Sequence, residues 1–172
     1  MSVATAFDLD MLDLSAFEAA VAPLFEGAPR FLVRLAAARP FGTAAAMLDT
    51  SLTIALAMPE PEQIELLDAH PRIGAPPGSV SADSFREQGY DRQAAGAAAE
   101  QERTRIQGQL DRLNAIYERR FGFRFVVFVA GRPRAEIVPE LERRLERPRD
   151  EEVETGLRAV IDIARDRWRK RT

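Results

Sequence analysis

Cysteine is absent from this chain of 172 residues, and lysine and histidine occur once each, as Lys170 and His70. Without a thiol there is no disulfide framework, no thiolate nucleophile and no Cys-ligated zinc or iron–sulfur site, and a reducing cytoplasm suits the composition. A lone histidine cannot build a His-rich metal site or an HExxH pair, so no metal is expected. Charge of one sign is also missing: 24 Lys and Arg stand against 27 Asp and Glu, and the net charge of -3 offers no basic field for nucleic acid. No run approaches the ~18 apolar residues of a membrane span, and the first residues carry acids where a signal peptide carries Lys or Arg, so no membrane partner is expected. No Walker loop, GxGxxG fingerprint or GxSxG elbow occurs, which leaves a cofactor-free reaction as the simplest enzymatic option.

What the chain does have is an apolar content of 46%, enough for one compact domain over 1–172, and hydrophobic spacing that is mostly helical. Ser15 and Glu18 form a capping-box pattern that starts a short helix ending near Pro23. A second helix is predicted over 30–38, stopped by Arg39-Pro40-Phe41-Gly42, and a third runs from a Thr43 cap to about Met58. Pro61 suits the first turn of a helix over 61–69, which meets His70-Pro71 and a proline- and glycine-rich loop over 71–82. Helical spacing resumes beyond Ser84, breaks near Gly89 and Gly96, and continues over about 98–120, with Ile106, Leu110, Leu113 and Tyr117 on one face. Ile137, Val138, Leu141 and Leu145 describe a further helix. A last one, capped by Asp150, buries Val153, Leu157, Val160, Ile161, Ala164 and Trp168. The stretch 121–129 is aromatic and β-branched and reads as a strand by propensity. No second strand exists to pair with it, so it is expected to be extended or irregular, with backbone groups needing side-chain or ligand partners. The fold class is therefore all-α, a single-domain multi-helix bundle.

Chemistry concentrates at few places. His70 ends a helix beside a proline, where the negative end of the dipole is expected to raise its pKa. Ser84, Glu87 and Gln88 sit at i, i+3 and i+4, which fits either a second capping box or a polar cluster that holds a ligand. The arginine-rich end around Trp168 reads as a solvated helix terminus.

Several short motifs occur together along nearly the whole chain: Phe25-Glu26-Gly27-Ala28-Pro29, Arg39-Pro40-Phe41, Leu67-Asp68-Ala69-His70-Pro71, Ser84-x-x-Glu87-Gln88, Leu113-Asn114-x-x-Tyr117, Phe121-Gly122-Phe123 and Ile163-Ala164-x-x-Arg167. In order and spacing the chain resembles the 2-oxo-4-hydroxy-4-carboxy-5-ureidoimidazoline (OHCU) decarboxylases of the urate-to-allantoin pathway. The resemblance implies an all-helical, cofactor-free enzyme, a homodimer, and a non-sheet backbone for 121–129 beside the active site. It places the catalytic pair on His70 and Glu87. Substrate contacts fall on Pro71, Ser84, Phe85, Arg86, Gln88, Phe125, Val126, Val127, Phe128, Val129 and Arg167. The implied partner is a small anionic ureidoimidazoline, with Glu87 orienting His70 and raising its pKa, main-chain amides of 126–129 as donors, and Arg167 attracting the anion. Arg72 and Arg124 depart from the family pattern and are further candidates for that attraction. Two other readings compete. One is a non-enzymatic helical interaction module presenting Phe123, Phe125 and Phe128; the other is a sister decarboxylase or lyase acting on a different small ureido or imidazole acid.

Overall fold

Capping side chains decide where these helices begin. The computed structural model describes residues 6–171, and among them every regular element is helical. Helix α1 covers Ala6–Asp10 and α2 covers Leu14–Val21. The N-cap of α2 is Asp13, whose carboxylate accepts from the Ala16 amide at 2.8 Å. Ser15, expected as the cap, already lies in the first turn. A carboxylate beside the positive helix end competes well for that place. Helix α3 (Pro29–Ala37) starts on a proline whose missing N–H costs nothing there. Helix α4 (Ala44–Ala57) is capped by Thr43 as expected, and α5 (Glu60–Ala69) carries Pro61 in its first turn.

Helix α6 spans Ala82–Glu87 and starts earlier than predicted. Its cap is Ser81, which accepts from the Ser84 amide at 3.1 Å, so Ser84 is an interior, buried residue and not a cap. The preceding proline-rich loop delivers Ser81 in an extended conformation, the backbone an N-cap needs. Helices α7 (Ala97–Phe121), α8 (Arg134–Arg144) and α9 (Arg149–Arg171) complete the order. In α9 the Pro148 carbonyl accepts the first helical bond, from Glu152. That moves Asp150 from the predicted cap into the first turn, beside Glu151 and Glu152.

The chain divides into two compact units: Met1–His70 with Val153–Thr172, and Pro71–Glu152. In the first, Phe17, Leu24, Phe25, Phe31, Leu35, Met47, Leu66, Leu67 and Leu157 are buried, each apolar side chain contributing roughly 1.5–3 kcal/mol. The Arg39-Pro40-Phe41-Gly42 motif is clamped here: the Asp10 carboxylate accepts from the Phe41 and Gly42 amides, and the Arg39 guanidinium lies 4.6 Å over the Phe17 ring. Helix α9 passes close to α5 at Gly156, where a Cβ would stand 2.8 Å from Leu67 Cδ2 and oblige that side chain to shift. Leu67 lies in the last turn of α5, three residues before the C-cap His70.

In the second unit the loop after Pro71 is stapled by side chains. Gln88 accepts from the Gly74 amide (2.7 Å) and donates to the Arg72 carbonyl, Tyr90 donates to the Ala75 carbonyl, Gln107 to Gly74, and Asn114 to Ile73. Tyr117 packs its ring against those of Phe121, Phe123 and Phe125 at 4.5, 5.8 and 5.3 Å. The stretch 122–129 joins no sheet, as expected from the lack of a second strand.

Candidate active site

His70 caps the C-terminus of α5 in an extended conformation, so its ring leaves the helix axis and turns back along the last turn. Its Nδ1 lies 3.0 Å from the Leu66 carbonyl oxygen. A carbonyl only accepts, so the proton sits on Nδ1 and Nε2 carries the lone pair. The ring is 3% exposed, and burial pushes its pKa down to about 4, with Leu66 and Glu26 acting upward and Arg167 downward. This corrects the expectation of a raised value. Removing an imidazolium from water outweighs the helix end and the nearby carboxylate. His70 is a neutral, tautomer-fixed imidazole at pH 7, suited to accepting a proton at Nε2.

Arg167 is brought into the same neighbourhood by α9. It is buried, donating to the Pro23 carbonyl at 2.8 Å and to Glu26 Oε1 at 2.6 Å. Glu26 lies in the turn after the Ala22–Leu24 helical turn, with φ of 54°. The Phe25-Glu26-Gly27-Ala28-Pro29 motif, legible in the sequence as punctuation, is thus the socket for Arg167. Glu26, which the sequence analysis named only within that motif, is the acid that pairs with Arg167.

The other candidates lie in the second unit. Ser84, Glu87 and Gln88 share one face of α6 and its cap, and Ser84 and Gln88 are buried. The Gln88 amide is committed at both ends to the 72–74 loop, so it braces the backbone immediately after Pro71. Phe85 rests on Tyr90 with ring centroids 5.4 Å apart, and Arg86 is exposed and paired with Asp83 at 2.6 Å. Pro71, Arg72, Asn114 and Arg124 line one cleft of about 770 Å³ together with the proline loop and α7. Arg72 and Arg124, the two departures from the family pattern, thus share one wall space, with Arg72 held by Glu118.

Phe125, Val126, Val127 and Val129 are buried, with Phe128 partly so. Arginines take the place of a neighbouring strand for their carbonyls. Arg144 Nη1 donates to Val126 at 2.8 Å, and Arg132 donates to Phe128 (Nη2, 2.8 Å) and Val129 (Nε, 3.0 Å). Arg149 donates to Phe121 at 2.8 Å. Within this unit the amides of Val126, Val127, Phe128 and Val129 donate to no backbone carbonyl or side chain. Buried amides of that kind are ready donors for the oxygens or nitrogens of a ligand. Beneath them Arg144 is 5% exposed and Glu152 fully buried, bonded at 2.8 Å, while Tyr117 donates to the same carboxylate at 2.6 Å. Burial raises the Tyr117 pKa beyond the usual phenol range, with the Glu152 bond acting the same way, so it remains a donor.

Among the described residues no cluster of three or more His, Asp or Glu side chains is placed to hold a metal ion. No helix among them is long and apolar enough to cross a membrane.

The OHCU decarboxylase family model matches residues 10–169. The chain is 31% identical over 160 residues to the uric acid degradation bifunctional protein PucL of Bacillus subtilis, covering 93% of this chain and 31% of that longer protein. It is 28% identical to the 2-oxo-4-hydroxy-4-carboxy-5-ureidoimidazoline decarboxylase of Haloferax volcanii, over 95% of this chain and 93% of that one. The Mus musculus enzyme of the same name is also 28% identical, over 91% and 86% of the two chains. In fold it is similar to OHCU decarboxylase crystallised in the presence of (S)-allantoin, with a TM-score of 0.64, 23% identity and coverage of 87% of this chain and 94% of the other.

Proposed function

Because the chain belongs to the OHCU decarboxylase family, we propose that it is a cofactor-independent carboxy-lyase converting 2-oxo-4-hydroxy-4-carboxy-5-ureidoimidazoline to (S)-allantoin in urate degradation. The observation that carries the mechanistic part is His70, a buried imidazole held neutral with its Nδ1 proton given to Leu66.

In this substrate one ring carbon bears a carboxylate and a hydroxyl, next to a carbon–nitrogen double bond. When the bond to the carboxylate breaks, its electron pair passes towards that double bond and carbon dioxide leaves. The nitrogen of that double bond takes up a proton from water, the hydroxyl then gives up its own as the carbonyl forms, and the neighbouring carbon gains one on a single face. The chain's own electron-sink chemistry is not needed, because the substrate supplies it. The protein must hold the breaking bond in line, stabilise the charge that develops and control one proton. His70 Nε2 accepts the hydroxyl proton, a role worth roughly 10²–10⁴-fold in rate. Glu87 is the partner carboxylate assigned by the motif match, with Ser84, Gln88 and Pro71 supporting the same region. The amides of 126–129 donate to substrate oxygens or nitrogens, which accounts for their lack of partners within their own unit. Arg167, with Glu26 fixing its direction, supplies the positive charge that draws the anion. A homodimer in a reducing cytoplasm completes the reading, supported by the family motifs and the absence of cysteine.

The test is to add the protein to freshly generated product of urate oxidation, following substrate by absorbance and product by circular dichroism. Faster loss with optically active allantoin is expected. An unchanged background rate with racemic allantoin refutes the assignment and favours a binding module. No effect here, together with a specific small-molecule stabiliser in a thermal-shift screen, favours a sister enzyme.

A further inference from the structure

Each trans peptide is planar, so a carbonyl and the amide N–H on the same unit point in opposite directions. Capturing the oxygen of residue i therefore aims the N–H of residue i+1. Arg144 holds the Val126 oxygen and thus directs the Val127 amide; Arg132 holds the Phe128 oxygen and directs the Val129 amide. Arg144 does so from the buried network with Glu152 and Tyr117. Arg132 does so from the surface, its side chain 36% exposed and its Nη1 donating to Glu140 on α8 at 2.6 Å.

Arg132 also closes the turn that ends the segment. Ala130 and Gly131 both have positive φ, 53° and 75°, and the Arg132 amide donates to the Val129 carbonyl at 3.1 Å. Two consecutive left-handed residues bridged in this way form a type I′ turn, a conformation that glycine accepts readily and alanine resists. The guanidinium fork grips the two carbonyls that enter this turn, and Glu140 grips the fork.

We propose that Arg132, locked by Glu140, is a positioning residue for the decarboxylation: it acts through the Phe128–Val129 peptide to aim the Val129 amide at the substrate. The inference rests on the reading of 126–129 as substrate donors. An amide directed at charge that develops during bond breaking contributes to the transition state more than to binding, so its misdirection lowers kcat more than it raises KM.

The experiment compares wild type with Arg132→Gln, Arg132→Lys and Glu140→Gln. It measures kcat and KM for the OHCU substrate, thermal midpoints, and hydrogen exchange in the peptide that contains Val129. For Arg132→Gln the expected result is a kcat about 10–100-fold lower. KM should change less than about threefold, the midpoint should fall by less than about 4 °C, and exchange around Val129 should be faster. Lysine keeps one charge-assisted bond but not the fork, so Arg132→Lys should recover part of the loss. Glu140→Gln leaves both carbonyl bonds in place and should lose less than Arg132→Gln. Wild-type kcat in Arg132→Gln, or a loss confined to KM, overturns the positioning role while leaving the decarboxylase assignment intact. An inert wild type overturns the assignment itself. The exchange comparison still reads the clamp in that case.

Discussion

His70 gains its chemistry from burial more than from its place at a helix end. A pKa near 4 keeps His70, as the proposed general base, unprotonated well into acid, so the acid limb of the kcat/KM profile should fall near pH 4–5. A half-maximal rate near pH 6.5 would show instead an exposed, unperturbed imidazole. The same shift is a statement about stability. The folded ring holds its proton less readily than the unfolded one, so its contribution is intact above the unfolded pKa of about 6.5 and lost as pH falls towards the folded value. Wild type should therefore lose stability relative to His70→Asn between pH 7 and 4, by about 3 kcal/mol at the acid end, in paired urea titrations. Parallel curves would contradict the buried neutral ring. The direction of this shift was not legible in the sequence, because helix ends and carboxylates are readable there but the depth of burial is not. Glu26 was hidden for a related reason: its partner Arg167 lies 141 positions away.

Among the elements, the segment 121–129 shows how far sequence reasoning reaches. Its strand-like composition and lack of a pairing partner foretold irregular, buried backbone. That its carbonyls would be satisfied by Arg132, Arg144 and Arg149 was not foreseeable, since the last two reach them from 18 and 28 positions along the chain. Arg144 and Glu152 form a buried pair, and removing one partner leaves an uncompensated charge. Glu152→Ala should cost about 3–5 kcal/mol in urea unfolding, whereas Arg144→Met with Glu152→Leu should recover most of it. That double variant should nonetheless lose activity, because the Val126 carbonyl loses its holder. If Glu152→Ala costs under about 1 kcal/mol, the network is not a structural anchor. Cap positions were the weakest predictions: Asp13 and Ser81 displaced Ser15 and Ser84, with several capping residues within three positions of each true start, and in α9 Pro148 stands where Asp150 was expected.

For the whole molecule, the all-helical class and the helix order followed from periodicity and from proline and glycine punctuation. The Pro71 loop did not, because its staples Gln88, Tyr90, Gln107 and Asn114 reach it from 14, 15, 33 and 41 positions along the chain. Those staples hold residues 72–75 at the start of the loop. A cofactor-free decarboxylase should keep its full rate after exhaustive dialysis against a chelator; restoration by added metal would contradict that. Light scattering coupled to gel filtration should return twice the 19.2 kDa chain mass; a monomer at assay concentration with full activity would remove dimerisation from the account. The most direct measurement of the central claim is the optical activity of allantoin formed by wild type and by His70→Asn under identical conditions. Wild type should yield the (S) product well above the spontaneous rate. The variant, folded to the same circular dichroism spectrum, should yield only slow, racemic allantoin. Rapid formation of (S)-allantoin by His70→Asn would contradict the account.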